Sequence, residues 1–272
     1  VAMGYNTLDA NTTGSFNTSV GDSSMSTNTT GDNNVAMGQG TFANNTTGDN
    51  NTALGQAALA ANTTAANNTA VGYSALTANT TGASNTAVGK DALKANTTES
   101  DNTAMGYESL SANTTGKRNT ALGKSALAAN TTGEYNVAVG ALSGDALTTG
   151  SLNTALGYYT LSAATTALSN TAIGGQALAV TTTGAYNTSI GANTLVANTT
   201  GQENTANGFR ALTVNTTGSL NVAYGSGALQ LNTTASSNSA FGKDALYSNT
   251  TASYNTALGY HSLYTNTTGT GN

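Results

Sequence analysis

The tripeptide Asn-Thr-Thr returns every 17 residues along this chain, from Asn11 to Asn130 and again from Asn198 to Asn266. Between those blocks the pairs that begin at Thr148, Thr165 and Thr182 keep the register, so the spacing never slips. The whole length, 272 residues, is sixteen such periods. A fixed period of this size marks a repeat architecture, in which each unit buries its apolar residues against copies of itself. Few other folds tolerate such monotony.

Numbered from the Asn of Asn-Thr-Thr, the repeat reads N-T-T-G-x-x-N-T-A-apolar-G-x-x-A-L-x-A. Positions 2 and 3 are Thr, position 7 is Asn and position 11 is Gly in all 16 copies. Position 9 is Ala in 14 copies and Ser at Ser19 and Ser189. Position 15 is Leu except at Met25, Phe42 and Gly144. All 12 acidic and all 7 basic residues fall at positions 4, 5, 6, 12, 13 or 16. Charged groups avoid burial unless paired. The charges therefore map the wet surface, placing turns at positions 4 to 6 and 12 to 13 and an outward side chain at 16.

Two short strands are expected between these turns. One covers positions 7 to 11, as in Asn51-Thr52-Ala53-Leu54-Gly55, and the other roughly 14 to 3, as in Ala75 to Thr81. The apolar positions do not follow a 3.6-residue period, and Thr, Asn and Gly are poor helix formers. The expected fold is an all-β parallel β-solenoid, or β-roll, of sixteen 17-residue coils. Coils stacked at the inter-strand spacing would make a rod of roughly 77 Å. Proline, absent throughout, would deny the next coil an amide donor.

The repeated residues then become ladders. Asn51, Asn68 and Asn85, with the Asn of position 1, are expected to stack as amide columns. Gly55, Gly72 and Gly89 permit a positive φ or a close backbone approach. Thr80 and Thr81 suit a pleated surface, and Leu76 and Leu93 supply apolar bulk. Strand residues alternate between faces. Positions 8 and 10 share one face and 7, 9 and 11 the other, and both faces are small or apolar. So thin a coil cannot house both, so one is expected to be buried against another copy of the chain. The sequence leaves open which face that is.

Residues 1–272 read as a single array, with irregular coils from about 141 to 181, where Leu147, Ala164 and Thr181 replace the ladder Asn. A locally distorted coil is expected there. Residue 1 enters at position 8 and Asn272 leaves at position 7 with no polar cap, so a segment of a longer fibre is expected.

Several functions find no support in these residues. The chain has no Cys for a disulfide or thiolate metal site. Seven basic residues and a net charge of −5 offer no basic face for nucleic acid. No run of 18 apolar residues is long enough to span a membrane. His261 is the only His and sits at a turn. No nucleophile–base set or phosphate loop recurs. Asp32 and Asp49 stand a whole coil apart, unlike the close acids of a calcium loop. Neither an enzyme nor a cofactor or metal is expected. The Asn-Thr-Thr triplets match the glycosylation sequon, but a ladder Asn is buried. Thr columns raise ice binding, yet Thr at 2 and 3 point to opposite faces and Thr at 8 is followed on its face by an apolar residue. Tyr73, Tyr107, Tyr158 and Tyr260 at position 12 are the candidates for ligand contact, because exposed aromatics stack on sugars or partners.

Units such as Asn68-Thr69-Ala70-Val71-Gly72-Tyr73-Ser74-Ala75-Leu76, followed by Asn79-Thr80-Thr81-Gly82, resemble the repeats of bacterial and phage tail-fibre-type proteins. The N-T-A-apolar-G core is also similar to the N-S-V-A-I-G of trimeric autotransporter adhesin heads, although the period here is longer. The resemblance implies a homotrimeric fibre shaft or head, exposed outside the cell, on its surface or on a virion, and attaching to a glycan or receptor. The alternatives are a single-chain solenoid that binds glycan or ice and a filament built by end-to-end stacking of identical units.

The charge map generates a direct test. Leu93→Asp is expected to destabilise its coil by at least about 3 kcal/mol, whereas Lys90→Asp should change stability by less than about 1 kcal/mol. Equal shifts of the two variants in a thermal melt would refute the map.

Overall fold

The computed structural model describes residues 1–272, which form two compact units, Val1–Tyr135 and Asn136–Asn272. Each unit is an all-β parallel solenoid without helix. In the first, β1 (Ala2–Met3), β2 (Thr18–Val20), β3 (Val35–Met37), β4 (Thr52–Leu54), β5 (Thr69–Val71), β6 (Thr86–Val88), β7 (Thr103–Met105) and β8 (Thr120–Leu122) pair side by side in chain order. In the second, eight strands from β9 (Val137–Val139) to β16 (Thr256–Leu258) do the same. The register is one full repeat. Thr52 pairs with Thr69, Ala53 with Ala70 and Leu54 with Val71.

The expectation of two strands per coil is corrected. Only positions 8 to 10 are strand, and the stretch expected as the second strand, for example Ala75 to Thr81, is turn. The cause is a left-handed backbone that no pleat accommodates. In every coil positions 6, 11, 13 and 15 have positive φ. In the coil of Gly72 they are Gly72 (φ 133), Ser74 (φ 54), Leu76 (φ 51) and Ser84 (φ 58). For a residue such as Leu this conformation costs about 1–2 kcal/mol. Burying the Leu side chain completely contributes about 1.5–3 kcal/mol and offsets the strain. Leu76 is sealed from solvent, as are its counterparts Leu59, Leu93 and Leu110.

Coil-to-coil hydrogen bonds continue through the turns. Gly72 and Ser74 donate their amides back to Leu54 and Gln56, at 2.7 and 3.0 Å. Leu76, Ala78 and Thr80 donate forward to Ala92, Lys94 and Thr97, at 3.0, 3.2 and 2.8 Å. The turns thus bond one coil to the next in the same way as the strands. Gly72 shows why position 11 is Gly. Its φ is positive, and an added Cβ would lie 2.6 Å from the Gly89 carbonyl oxygen.

The interior is filled by positions 1, 4, 7, 9, 14 and 15. Asn68, Ala70, Ala75, Leu76, Asn79 and Gly82 are all buried. The strand face that points inward is therefore the one carrying Asn and Ala, which decides the choice the sequence left open. Position 4 also turns inward in most coils, as at Gly31, Ala65 and Gly82, which corrects its reading as a wet turn. Only Glu99 brings charge to it, and that residue is half-buried.

Two Asn columns run through this interior with different bonding. At position 1 each amide donates to the amide oxygen one coil back, as Asn62 to Asn45 at 3.0 Å and Asn79 to Asn62 at 3.1 Å. At position 7 the side chain works mainly on backbone. The Asn68 Oδ1 accepts from the Asn85 backbone N–H at 2.9 Å, and its Nδ2 donates to the Gly82 carbonyl at 2.9 Å. Asn51 and Asn85 repeat this arrangement. The Thr80 hydroxyl donates to the Thr97 carbonyl at 3.0 Å. Thr81, by contrast, faces solvent.

Asn68→Ala would orphan the buried Asn85 N–H. An unsatisfied buried donor and the lost bonds together cost about 2–4 kcal/mol. The expected outcome is a lowered unfolding midpoint with faster hydrogen exchange of the Asn85 amide, while Thr81→Ala leaves both close to wild type.

Candidate functional site

The solenoid surface has no cleft deep enough to enclose a small molecule. What it offers are columns, because each outward position repeats along the stack. Position 12 follows the invariant Gly and projects from the corner after the strand. Here Tyr73, Lys90 and Tyr107 come from successive coils. The Lys90 Nζ lies 5.8 Å from the centre of the Tyr73 ring and 5.3 Å from that of Tyr107. It also pairs with Asp91 at 3.0 Å. The hydrogen bond that Lys90 donates to Asp91 raises the Lys90 pKa, and the one that the Tyr107 hydroxyl donates to Glu108 raises that of Tyr107. Tyr73 and Tyr107 therefore already share one cation.

Tyr158 and Tyr260 have other neighbours. Tyr158 packs against Tyr159 at 5.9 Å with the rings tilted by 35°. Tyr260 belongs to a group that sequence inspection had not assembled. Its ring stacks on His261 at 4.0 Å, and His261 stacks in turn on Tyr264 at 4.5 Å. Tyr264 stacks on Tyr247 at 5.1 Å. The Lys243 ammonium sits 5.4 Å from the Tyr260 ring, and the Asp244 carboxylate meets both Lys243 and His261 Nε2. The signal for this group was in the register: Lys243 and Tyr260 share position 12, Asp244 and His261 share 13, and Tyr247 and Tyr264 share 16. Columns bring identical positions together.

Asp32 and Asp49 act as backbone acceptors. The Ser15 amide donates to Asp32 at 2.6 Å and the Asp32 amide to Asp49 at 2.7 Å.

A second surface is the outward face of the strands, positions 8 and 10. Thr52 and Leu54, Thr69 and Val71, and Thr86 and Val88 present alternating hydroxyl and aliphatic groups, half-exposed. Met37, Leu156, Tyr224 and Phe241 stand out further on the same face. Tyr224 and Phe241 stack at 5.5 Å with only 6° between their planes. No residue in these two columns is charged.

Residues 141–181 keep the backbone bonds of the other coils. Gly144 donates to Thr160 at 2.9 Å and Leu147 to Gly144 at 3.1 Å, as Leu76 and Asn79 do in their coil. The side-chain ladder is what stops. Asn130 Oδ1 and Thr181 Oγ1 are buried without a partner, and the copies between them carry Leu147 and Ala164, which have no amide to offer. Asp145 Oδ1 is likewise shut off, and burial raises the Asp145 pKa.

No protein-family model matches the chain, and no curated protein or solved structure matches it either.

Asp145 gives a pH test. A carboxyl whose pKa is raised on folding adds stability below its unfolded pKa, near 4, and loses it as pH rises through the folded value. Asp145→Asn should therefore melt above wild type at pH 7, and the gap should close below about pH 4.

Proposed function

We propose that the chain is a structural segment of a homotrimeric extracellular fibre, the shaft or head of an adhesin or tail fibre. The observation that carries this reading is the division of each coil into a self-sufficient interior and an uncharged outward strand face. Asn, Ala and Leu close the interior within one chain. The Thr and aliphatic columns of the strand face remain half-exposed along each unit. Soluble monomers seldom expose long continuous apolar surfaces, and those that occur mark interaction sites. The mechanism is mechanical: coil number sets length, amide ladders set stiffness and variable turns display contacts to a receptor or glycan. The resemblance of the repeat to tail-fibre and adhesin units supports the extracellular setting. The clasp of Tyr73 and Tyr107 on Lys90 favours this structural reading over a dedicated sugar platform.

Light scattering on the 272-residue chain is expected to give the mass of three copies. A mass of one copy that persists at high concentration would overturn the proposal.

A further inference from the structure

Resting on that reading, we infer that the outward strand face of positions 8 and 10 is the surface on which copies of this chain meet, parallel and in register, with Asn207 fixing the register. Position 8 is Thr in 11 copies, Val in four and Ser in one. Position 10 is aliphatic or aromatic in every copy except Asn207. Positions 5, 6, 12, 13 and 16 carry charges, and positions 2, 3 and 17, though charge-free, hold Thr or mostly Ala, so large apolar side chains form a continuous outward column only at position 10.

The chemistry of the face suits a second copy of itself. Most hydroxyls at position 2, such as those of Thr63 and Thr80, bond a carbonyl of the next coil. Those of Thr52, Thr69, Thr86 and Thr103 make no hydrogen bond within the chain. A hydroxyl is both donor and acceptor, so identical Thr columns facing each other satisfy one another. The neighbouring aliphatic columns are buried in the same step.

A three-residue strand is about 10 Å long and strands lie about 4.8 Å apart, so the eight strands of one unit present about 380 Å². Each unit thus brings about half of the roughly 800 Å² that one partner contributes to a standard interface, and both units carry the face.

A uniform face has a weakness. Sliding one copy by one coil would exchange like for like at almost every site. The second unit breaks that equivalence: Ile190, Asn207, Tyr224 and Phe241 follow one another at position 10. A buried amide in an apolar column is costly unless it meets a hydrogen-bonding partner. In register Asn207 meets Asn207, while a one-coil slip sets it against Ile190 or Tyr224. A single polar residue at a coiled-coil core position specifies register by the same logic.

The chain has no Cys, so single Cys variants report contacts directly. Ile173→Cys is expected to crosslink to itself under mild oxidation or with a short bis-maleimide. Thr183→Cys, on an exposed turn, should crosslink at least tenfold less. Val71→Cys repeats the test in residues 1–135, should Ile173→Cys fold poorly. In a mixture of Ile173→Cys and Ile190→Cys chains, crosslinks between unlike chains should be rare. They should become frequent when Asn207→Val is added. Three outcomes overturn the inference. If the mass is that of several chains but neither Ile173→Cys nor Val71→Cys crosslinks, the interface lies elsewhere and the fibre reading stands. If unlike crosslinks are frequent with Asn207 intact, the register role fails. If the chain is monomeric throughout, or inhibits ice growth as a monomer, both the inference and the fibre reading fail.

Discussion

A buried amide that points along the stacking direction can be satisfied only by the adjacent coil, and this requirement organises the whole molecule. It forces each coil to present its carbonyls where the previous coil presented them, which explains a spacing that never varies. It excludes Pro everywhere. It also gives the Asn side chains their work, since the position-7 amide supplies an acceptor to one backbone N–H and a donor to one carbonyl where the turn leaves them short, as Asn68 does for Asn85 and Gly82. Stability in such an array is a sum of like interfaces between neighbours. No residue far away in sequence is needed to complete a coil.

Much of the fold was legible because the chain repeats its experiment sixteen times. Positions that exclude charge in every copy include the buried ones, and Asn68, Ala70, Leu76 and Asn79 are buried as that logic requires, although Thr81, equally charge-free in every copy, faces solvent. Position 4 was misread because one residue, Glu99, carries charge there. A long acidic side chain reaches water from a position that is otherwise enclosed. The second strand was misread for a different reason. Leu76 at φ 51 leaves no mark in composition, because Leu is a poor choice for left-handed backbone and only its packing compensates. Alternation of small and apolar residues at 14 to 17 looks the same in a pleat and in this turn.

The surface was less legible than the interior. Position numbers identified which tyrosines are outward, but a ring's neighbours depend on what the adjacent coils carry at the same and the following positions. Lys90 between Tyr73 and Tyr107, and His261 between Tyr260 and Tyr264, arise from such vertical neighbours. The orientation of the strand was also beyond the sequence, since Thr-Ala-Val reads equally well with either face inward. Packing decides it: Ala70 fits beside Ala75 and Leu76 in a thin coil, and the longer Val71 side chain takes the roomier outward side.

The bonding of each coil to its neighbours alone has a genetic consequence. Loss or gain of a whole 17-residue block by recombination between copies leaves every remaining side chain with a chemically equivalent neighbour above and below. A block one residue longer would rotate everything downstream of it, carrying aspartates, glutamates and arginines from positions 6 and 13 into the Asn and Ala columns. Length can therefore drift freely in whole coils and hardly at all in single residues, so this architecture evolves in quanta.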